Sequence, residues 1–386
     1  MLQIVLPSCN GTLEPYRLEG TPLVVAKPPR AFNRVALAAA HVVADPLSAA
    51  EPSAKPSLDW ERTLAYRHHL LDLGFGIAEA MDTSQRGMGL DWPTARELIR
   101  RTLDDTASRN HALIFSGAGT DHLDPNDARS LDNVIRAYLE QVEAIQKLGG
   151  RIILMASRAL TRVARSPQDY VRVYSRVLAE ADQPMILHWL GDMFDPALAG
   201  YWGANDFAAA VETCLEVIES NSAKVDGIKI SLLDDQKEIA MRRRLPRGVK
   251  MYTGDDFNYP DLIAGDGREQ SHALLGIFDA IAPAASIALS ALAEKDMARY
   301  HRAFAPTVPL SRLIFRSPTQ YYKTGIVFVA WLNGHQDHFV MVAGHQAMRP
   351  LAYFAEAFRL ADKAGLLSDP EQAIGRMRKL LAVYGI

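Results

Sequence analysis

The segment Val225-Asp226-Gly227-Ile228-Lys229-Ile230-Ser231 is a short apolar run with a lysine inside it. Apolar runs of this length suit strands that are covered on both faces, as in a parallel sheet. Along most of the chain such runs alternate with segments of helical period, a pattern typical of repeated βα units. We therefore predict eight strands, which are Arg34–Ala39, Gly76–Met81, His111–Ser116, Arg151–Ala156, Pro184–Trp189, Val225–Ile230, Val249–Thr253 and one within Ser271–Phe278.

Eight βα units within 386 residues predict an α/β fold, namely a TIM (β/α)8 barrel with a C-terminal helical extension. We expect an N-terminal extension over residues 1–33, the barrel over residues 34–304, and the helical extension, packed on the barrel, over residues 305–386. Within the barrel, Asp124-Pro125 predicts the N-terminal cap and first turn of a helix that ends at Gly149-Gly150. The stretch 281–304 is expected to be helical throughout.

The composition excludes several classes of protein. A formal net charge of −3 provides no basic surplus for a nucleic-acid backbone, so we expect no nucleic-acid partner. Cys9 and Cys214 have no metal-like spacing, which disfavours a disulfide framework and a zinc knuckle and favours a reducing, cytoplasmic compartment. No apolar stretch approaches the roughly 18 residues of a membrane span, so we expect no membrane partner.

Function in a TIM barrel sits where the strands meet their following loops, because those loops converge on one face. Polar residues occur at these strand ends in the present sequence. They lie in Met81-Asp82-Thr83-Ser84-Gln85, Gly117-Ala118-Gly119-Thr120-Asp121, Ser157-Arg158, His188-Trp189-Leu190-Gly191, Lys229-Ile230-Ser231 and Thr253-Gly254-Asp255-Asp256. The sequence therefore predicts one site that draws on several strand ends.

Lys229 is the residue in these strand ends that points most directly to a reaction. Strand alternation places it opposite in facing to Ile228 and Ile230, so it can point into the barrel while they face the helices. Burial lowers the pKa of a lysine from about 10.4 toward neutrality and yields an amine able to attack a carbonyl. The alternative is a structural lysine that pairs with a carboxylate at the barrel mouth or faces solvent.

The ordered set of motifs resembles the dihydrodipicolinate synthase and N-acetylneuraminate lyase superfamily of class I aldolase TIM barrels. The matching motifs are Gly-Ile-Lys-x-Ser at residues 227–231, Thr-Gly-Asp-Asp at 253–256, Gly-Ala-Gly-Thr at 117–120 and Pro-Met-Ile-Leu at 184–187. The matches run in order from about Arg34 to Asn333, which is most of the chain. More narrowly, the whole chain is similar to a branch catalogued as domain-of-unknown-function family 993.

The resemblance implies roles for individual residues. It implies that Lys229 forms a Schiff base and that Gly254 and Asp256 contact hydroxyl groups of the substrate. His188 stands where the superfamily usually has a tyrosine that relays protons, and an imidazole can relay protons near neutral pH. The loop 81–85 departs from the Gly-Thr-Thr-Gly-Glu that holds the pyruvate carboxylate, and a second tyrosine is missing where Arg158 lies nearby. These departures favour a substrate other than pyruvate.

We therefore hypothesise a carbon–carbon or carbon–oxygen lyase or aldolase that acts on a keto-sugar, a sugar acid or a related polyhydroxy carbonyl compound. Lys229 is the expected nucleophile and His188 the expected proton relay. The expected substrate-binding residues are Asp82, Thr83, Ser84, Gly117, Arg158, Gly254, Asp255 and Asp256. We expect no metal and no cofactor. By analogy with relatives, we expect a homo-oligomer, either a dimer or a tetramer.

Other interpretations fit some of the same residues. Asp82, His188 and Asp256 are also the groups that a metal-assisted sugar isomerase, epimerase or dehydratase would use. A third possibility is a sugar-binding barrel without catalysis, in which the lysine is vestigial. Asp255 is at least as suited to capping the next helix as to binding substrate. The histidine-rich stretch 335–345 suggests either a metal site or histidines at a surface or interface.

Overall fold

In the computed structural model, which describes residues 2–8, 10–26, 29–51, 54–110 and 112–386, eight parallel strands close into a barrel. The chain starts with an antiparallel hairpin of β1 (Gln3–Pro7) and β2 (Leu13–Arg17). The barrel strands are β3 (Ala36–Ala39), β4 (Gly76–Glu79), β5 (Ile114–Ala118), β6 (Arg151–Leu154), β7 (Met185–Leu190), β8 (Val225–Ser231), β9 (Lys250–Thr253) and β10 (His272–Leu275). Each pairs with the next along the chain, and β10 closes the barrel against β3.

Helices connect the barrel strands and continue beyond the last of them. The helices of the barrel are α1 (Trp60–Asp72), α2 (Trp92–Thr106), α3 (Leu131–Lys147), α4 (Arg158–Val163), α5 (Pro167–Ala179), α6 (Phe207–Ser220), α7 (Asp235–Arg242) and α8 (Tyr259–Ala264). After β10 come α9 (Ile277–Ala280), α10 (Ala282–Ala293), α11 (Met297–Phe304), α12 (Val308–Ile314), α13 (Tyr322–Leu332), α14 (Leu351–Lys363) and α15 (Pro370–Val383). Among the described residues, no helix combines the length and apolar character needed to cross a membrane.

The predicted barrel with a helical C-terminal region is confirmed, and each predicted strand overlaps an observed one. The third strand, β5, begins at Ile114, and His111, its predicted start, lies outside the described residues. The hairpin of β1 and β2 was not among the predicted elements. The boundaries drawn at residues 33 and 304 stay predictions.

The helix predicted to begin at Asp124-Pro125 is wrong at its N-terminus. The Asp124 carboxylate accepts the backbone N–H of Asn126 at 2.7 Å and so closes a turn. The helix α3 begins after Ser130, whose hydroxyl accepts the N–H of Asn133 at 3.3 Å. Aspartate side chains bond their own local backbone in turns as readily as they cap helices, so sequence alone does not separate the two uses.

The stretch 281–304, expected to be one helix, is broken. Lys295 takes a left-handed conformation with φ of 64°, which ends α10. The carboxylate of Asp296 then accepts the N–H of Arg299 at 2.9 Å and caps α11. The apolar period continues across the break, which is why the pattern predicts a single helix.

The barrel interior is apolar toward the N-terminal ends of the strands and polar toward their C-terminal ends. The buried apolar side chains that fill it are Leu37, Ala39, Ala78, Phe115, Ile153, Met155, Ile186, Tyr252 and Leu274, with Met81 above β4. Ile228 and Ile230 belong instead to the core between strands and helices. Lys229, between them on β8, therefore points to the interior.

The helix α13 is the centre of the C-terminal helical region. Every residue of α13 is buried, and the helix packs against α9, α12, α14 and α15. A helix that is apolar on all sides belongs in a core rather than at a surface. Its first turn lies against the barrel mouth, where the Tyr322 hydroxyl is 2.8 Å from the Thr83 hydroxyl. The C-terminal region therefore contributes side chains to the mouth of the barrel at the C-terminal ends of its strands.

Candidate active site

Lys229 lies near the C-terminal end of β8, in register with His188 on β7 and Tyr252 on β9. Only 7% of its surface is exposed. Burial lowers the pKa of its amine, while the charges of Asp82 and Asp256 partly oppose that change. Within the described part of the chain, the amine forms no hydrogen bond and no ion pair. Burial therefore shifts this amine toward its neutral, nucleophilic form relative to an exposed lysine.

His188 is buried directly beside Lys229. Its Nε2 lies 3.3 Å from the Ser231 hydroxyl, and its Nδ1 lies 3.9 Å from a carboxylate oxygen of Asp82. Burial, and secondarily the charge of Lys229, hold the pKa of this imidazole well below its usual value of 6.5. The ring is therefore neutral at pH 7 and has a free lone pair for base catalysis, and its lowered pKa makes it a weaker base than an ordinary histidine. Sequence alone predicts an imidazole of ordinary pKa, because the burial of His188 follows only from the folded structure.

The two aspartates that follow β9 have different environments. Asp256 is buried, and burial raises the pKa of its carboxyl to about 7, although it accepts the N–H of Ile277 at 2.9 Å. Asp255 instead accepts the backbone N–H groups of Phe257 and Asn258, at 2.8 and 3.0 Å. The carboxylate of Asp255 therefore closes the turn before α8, whose N-cap position is Asn258, so Asp255 bonds to the local backbone without capping the helix.

Gly254 gives Lys229 the space that it occupies. A Cβ atom at position 254 would lie 2.3 Å from the Ser231 hydroxyl, 2.6 Å from the carbonyl oxygen of Ile230 and 2.8 Å from Cε of Lys229. None of these approaches is sterically possible without a shift of backbone or of the lysine. Gly254 therefore has a packing role beside Lys229. Its role as a substrate contact stays a prediction.

We expect Gly254→Ala to displace the Lys229 side chain and to lower activity by about 10²-fold, because a shift of about 1 Å at a reacting group has that effect. The overpacking should also lower the free energy of unfolding by about 1–3 kcal/mol. Gly375→Ala is the matched control, since a Cβ atom there meets nothing within 4 Å in helix α15. Equal activity of the two variants in a turnover assay would contradict this prediction.

The polar residues of the loop after β4 have different roles, since some face the cavity and others bond to the fold. Asp82 is partly exposed and lines the cavity described below. The Ser84 hydroxyl donates to the carbonyl oxygen of Ala40 at 2.7 Å, so its hydrogen-bonding capacity is used in the fold. The Thr83 hydroxyl meets the hydroxyl of Tyr322. Asp82 and Thr83 therefore remain the candidate substrate contacts of this loop.

A cavity of about 200 Å³ opens at the C-terminal face of the barrel. Its polar and charged lining includes Asp82, Arg86, Thr120, Asp121, Arg158, His188 and Asp195. Lys229 is not part of the lining, but it neighbours His188 and lies within the electrostatic field of Asp82. The amine is therefore adjacent to the floor of the cavity rather than open to it.

Arg158 and Gly117, two further predicted substrate contacts, differ in their relation to the cavity. Nε of Arg158 lies 2.5 Å from a carboxylate oxygen of Asp195, and the guanidinium remains substantially exposed at the cavity. Gly117 does not line the cavity. Its carbonyl oxygen accepts a hydrogen bond from Arg86 at 3.1 Å, and a Cβ atom would lie 2.8 Å from the carbonyl oxygen of Ala80. Gly117 thus serves close packing between β5 and the loop after β4.

Three residues near the site were not anticipated from the sequence. Arg86 is buried, pairs with Asp121 through Nε at 3.0 Å and lines the cavity. Tyr322 and Lys323 open α13, and both are buried. Burial lowers the pKa of Lys323 to about 8, and its amine donates to the carbonyl oxygen of Gln320 at 3.1 Å. The sequence could have indicated Arg86 as a site residue, because it directly follows the loop 81–85. No motif near Tyr322 and Lys323 indicates that α13 reaches the site.

His41, at the end of the first barrel strand, and His335, in the histidine-rich stretch, both have structural surroundings. His41 lies against Asp279, with Nδ1 2.8 Å from a carboxylate oxygen, and outside the cavity. The His335 ring packs against His69 at a centroid distance of 4.3 Å. No group of three or more histidine, cysteine, aspartate or glutamate side chains in the described ranges is arranged to hold a metal ion.

A profile of the family described as "Protein of unknown function (DUF993)" matches residues 4–386. The chain belongs to this family. No curated protein sequence matches it.

Solved structures of similar fold come from the dihydrodipicolinate synthase group. The dihydrodipicolinate synthase from Thermotoga maritima is 14% identical with a TM-score of 0.63, over 86% of this chain and 99% of that one. The enzyme of the same name from Oceanobacillus iheyensis is 14% identical with a TM-score of 0.61, over 91% and 97%. A prophage protein of the dihydrodipicolinic acid synthase family from E. coli K12, in complex with pyruvate, is 15% identical with a TM-score of 0.63, over 91% and 98%. The TM-scores show that this DUF993 member shares their fold.

Proposed function

We propose that this protein is a class I lyase or aldolase in which Lys229 forms a Schiff base with a keto-sugar, a sugar acid or a related polyhydroxy carbonyl compound. The observation that carries this proposal is the buried, unpaired amine of Lys229 beside His188 at the catalytic face of a TIM barrel. The fold shared with dihydrodipicolinate synthases and with a pyruvate-bound relative supports it.

The proposed chemistry uses three groups of this chain. The neutral Lys229 amine attacks the carbonyl carbon, the C–N bond forms, and one proton passes from the nitrogen to the carbonyl oxygen, which restores the nitrogen lone pair. The nitrogen lone pair then expels that oxygen as water, with a second proton from the protonated carboxyl of Asp256, which is half-protonated near pH 7. In a cleavage reaction, neutral His188 removes the proton of the β-hydroxyl, and the C–C bonding electrons move to the iminium as an enamine.

The cavity supports a small, polar substrate. Carboxylates of Asp82 and Asp195 accept hydrogen bonds from sugar hydroxyls, and the terminal nitrogens of Arg158 suit a carboxylate of a sugar acid. Nε of Arg158 already pairs with Asp195, so the fork of the guanidinium is held in place. A homo-oligomer, as a dimer or a tetramer, and a cytoplasmic location stay predictions.

Reductive trapping tests the proposal. The protein is incubated with pyruvate, hydroxypyruvate, dihydroxyacetone or fructose, reduced with borohydride, digested and mapped by mass spectrometry. We expect added mass on Lys229 with at least one polyhydroxy carbonyl probe. Lys323 is an internal control, because it is a second buried lysine of lowered pKa. Labelling confined to Lys323, or no labelling at all, would show that the Schiff-base assignment is wrong.

Replacing Asp256 should separate stability from catalysis. The folded-state pKa of about 7 exceeds the ordinary 3.8, so the contribution of this carboxyl to stability is present below pH 3.8 and is lost as the pH rises through about 7. Asparagine resembles the protonated acid. We therefore expect Asp256→Asn to raise the free energy of unfolding at about pH 8 by on the order of 4 kcal/mol, and to change it little at about pH 4.

The same Asp256→Asn variant should lose activity by about 10²-fold or more, because it cannot donate the proton that leaves with water. Urea unfolding at both pH values and the rate of trapping are the measurements. Asp226→Asn is the matched control, since Asp226 pairs with Lys250 at 2.7 Å and accepts the Tyr252 hydroxyl at 2.6 Å. The Asp226→Asn variant should be less stable than the wild-type protein and should keep its activity. A stability gain independent of pH in Asp256→Asn would contradict the assignment.

A further inference from the structure

A second cavity opens at the face of the barrel opposite to the candidate active site. It lies between the loops that precede β9 and β10, at the N-terminal ends of these strands. Its volume of about 320 Å³ is in the range of small-molecule sites. We call it the basal cavity, and its charged and imidazole side chains belong to Arg242, Arg247, Lys250, Arg268, Glu269 and His272. The candidate active site uses none of these residues.

Two of the four cations of the basal cavity are offset by carboxylates of the fold. The amine of Lys250 lies 2.7 Å from a carboxylate oxygen of Asp226. The buried guanidinium of Arg242 lies 3.5 Å from a carboxylate oxygen of Asp266 and 3.9 Å from one of Glu269. Nε of Arg242 is too far from Glu269 for a hydrogen bond and has no other partner in the described part of the chain. These two cations are therefore neutralised, although one donor of Arg242 stays unused.

The other two cations, Arg247 and Arg268, are exposed and have no counter-ion. Neither guanidinium forms an ion pair or a hydrogen bond with the residues that the structure describes. Both lie in tight turns. The N–H of Val249 donates to the carbonyl oxygen of Pro246 at 3.1 Å across Arg247, and the N–H of Arg268 donates to the Asp266 carboxylate at 3.0 Å. The fold therefore presents two unpaired guanidinium groups to one cavity from two fixed turns.

His272 adds a neutral hydrogen-bond donor to the basal cavity. Burial, and secondarily the charges of Lys250 and Arg34, lower the pKa of His272 to about 4, so the ring carries a single proton at pH 7. Nδ1 accepts the backbone N–H of Val35 at 2.9 Å, and the proton is therefore on Nε2. Nε2 forms no hydrogen bond within the described ranges of the chain. It can donate to an oxyanion without the cost of a further buried charge.

We propose that the basal cavity binds a small organic phosphate, a phosphomonoester whose phosphate oxygens accept hydrogen bonds from Arg247 and Arg268. The two unpaired guanidinium groups match the charge of roughly −1.5 to −2 that a phosphomonoester carries at pH 7. The planar fork of an arginine bonds two phosphate oxygens at once. His272 supplies a further donor, and Leu245 and Val249 line the cavity beside the organic part of the ligand. This inference does not depend on the proposed lyase activity.

Isothermal titration calorimetry at pH 7 and low ionic strength tests this site. The probe is glycerol 3-phosphate, which has no carbonyl group and so cannot form a Schiff base with Lys229. We expect one saturable site with a Kd of about 1 mM or below, because two charge-assisted contacts to one phosphate reach that range. Glycerol lacks the phosphate and should not bind. Succinate should bind at least about 10-fold more weakly than glycerol 3-phosphate, because its two charges lie on separate groups.

Variants of the two arginines locate the bound phosphate. Arg247→Gln and Arg268→Gln should each weaken the binding of glycerol 3-phosphate by about 10- to 10²-fold, because each removes a charge-assisted contact. Both side chains are exposed, so these variants should fold like the wild-type protein. Arg96→Gln is the matched control, since Arg96 is an exposed arginine without an ion pair among the described residues, beside a cavity lined by three cations and three carboxylates. Arg158→Gln is a second control, because Arg158 lines the cavity at the C-terminal face. Both controls should bind the probe like the wild-type protein.

Four outcomes would overturn the phosphate site. Without saturable binding of glycerol 3-phosphate, the basal cavity is not a phosphate site. Equal weakening by Arg96→Gln and Arg268→Gln would mean that any exposed arginine attracts the probe. Loss of binding in Arg158→Gln would place the probe at the C-terminal face, and binding of succinate as tight as that of glycerol 3-phosphate would remove the assignment to a phosphate. None of these results changes the trapping of carbonyl probes on Lys229, so the two proposals fail separately.

Discussion

Lys229→Met is expected to abolish borohydride trapping at this position and to lower turnover by on the order of 10⁴-fold, because methionine has no amine to bond covalently to the substrate. Methionine has nearly the length and volume of lysine, so the barrel should keep its packing. The measurements are peptide mapping after reduction and single-turnover rates with each carbonyl probe.

The same variant should be more stable than the wild-type protein at neutral pH. The pKa of Lys229 is lowered in the folded state, which means that the unfolded state binds the proton more tightly. The free energy of unfolding therefore rises as the pH increases toward 10.5, the ordinary pKa of lysine. Below that pH, the charged amine destabilises the folded protein. Methionine carries no charge at any pH and so removes this destabilising effect. A variant that gains stability while losing activity is the signature of a group retained for chemistry.

Lys237→Met is the control for Lys229→Met. Lys237 lies on α7 and forms an exposed ion pair with Asp234 at 3.3 Å, so its loss should change the free energy of unfolding by less than about 1 kcal/mol and leave turnover intact. If Lys229→Met is destabilising and still turns over substrate, Lys229 is a structural lysine, which is the alternative that the sequence left open.

The fold could be predicted because its signal is local and repeated. Each barrel strand is an apolar run of a few residues, and each run is followed by a helical period, so an error in one unit is corrected by the others. β10 illustrates the limit, since the sequence placed it only within Ser271–Phe278 and the strand occupies His272–Leu275. The facing of Lys229 follows from the same alternation of side chains along a strand.

The site was only partly predictable, for two physical reasons. Aspartate and serine bond either to ligands or to the backbone, and the sequence does not say which, so Ser84 and Asp255 were assigned to substrate although both bond to the fold. Tyr322 and Lys323 reach the barrel mouth only because α13 packs there, and no residue near them in sequence signals that contact. Shifts in pKa, as at His188, depend on burial and share that limitation.

The largest expected loss of stability comes from the buried ion pair of Arg67 on α1 and Glu79 on β4. Neither side chain has exposed surface. Two parallel hydrogen bonds of 2.9 Å join the guanidinium to the carboxylate, which also accepts the Thr102 hydroxyl at 2.7 Å and the N–H of Ala80 at 2.8 Å. Arg67 further donates to the carbonyl oxygen of Thr63 at 3.1 Å. The pair thus joins α1, α2 and β4 below the loop that carries Asp82.

Glu79→Gln keeps the shape of the side chain and removes its charge, so Arg67 becomes a buried cation without a counter-ion. We expect the free energy of unfolding in urea at pH 7 to fall by about 3–5 kcal/mol. Glu97→Gln, in an exposed pair with Arg100 at 2.8 Å, is the matched control and should cost less than about 1 kcal/mol. The expected loss of stability in Glu79→Gln comes from a buried charge that has lost its partner. Glu79→Leu combined with Arg67→Met leaves no buried charge, so it should recover much of that loss. Equal costs for Glu79→Gln and Glu97→Gln would mean that water reaches the Arg67 guanidinium.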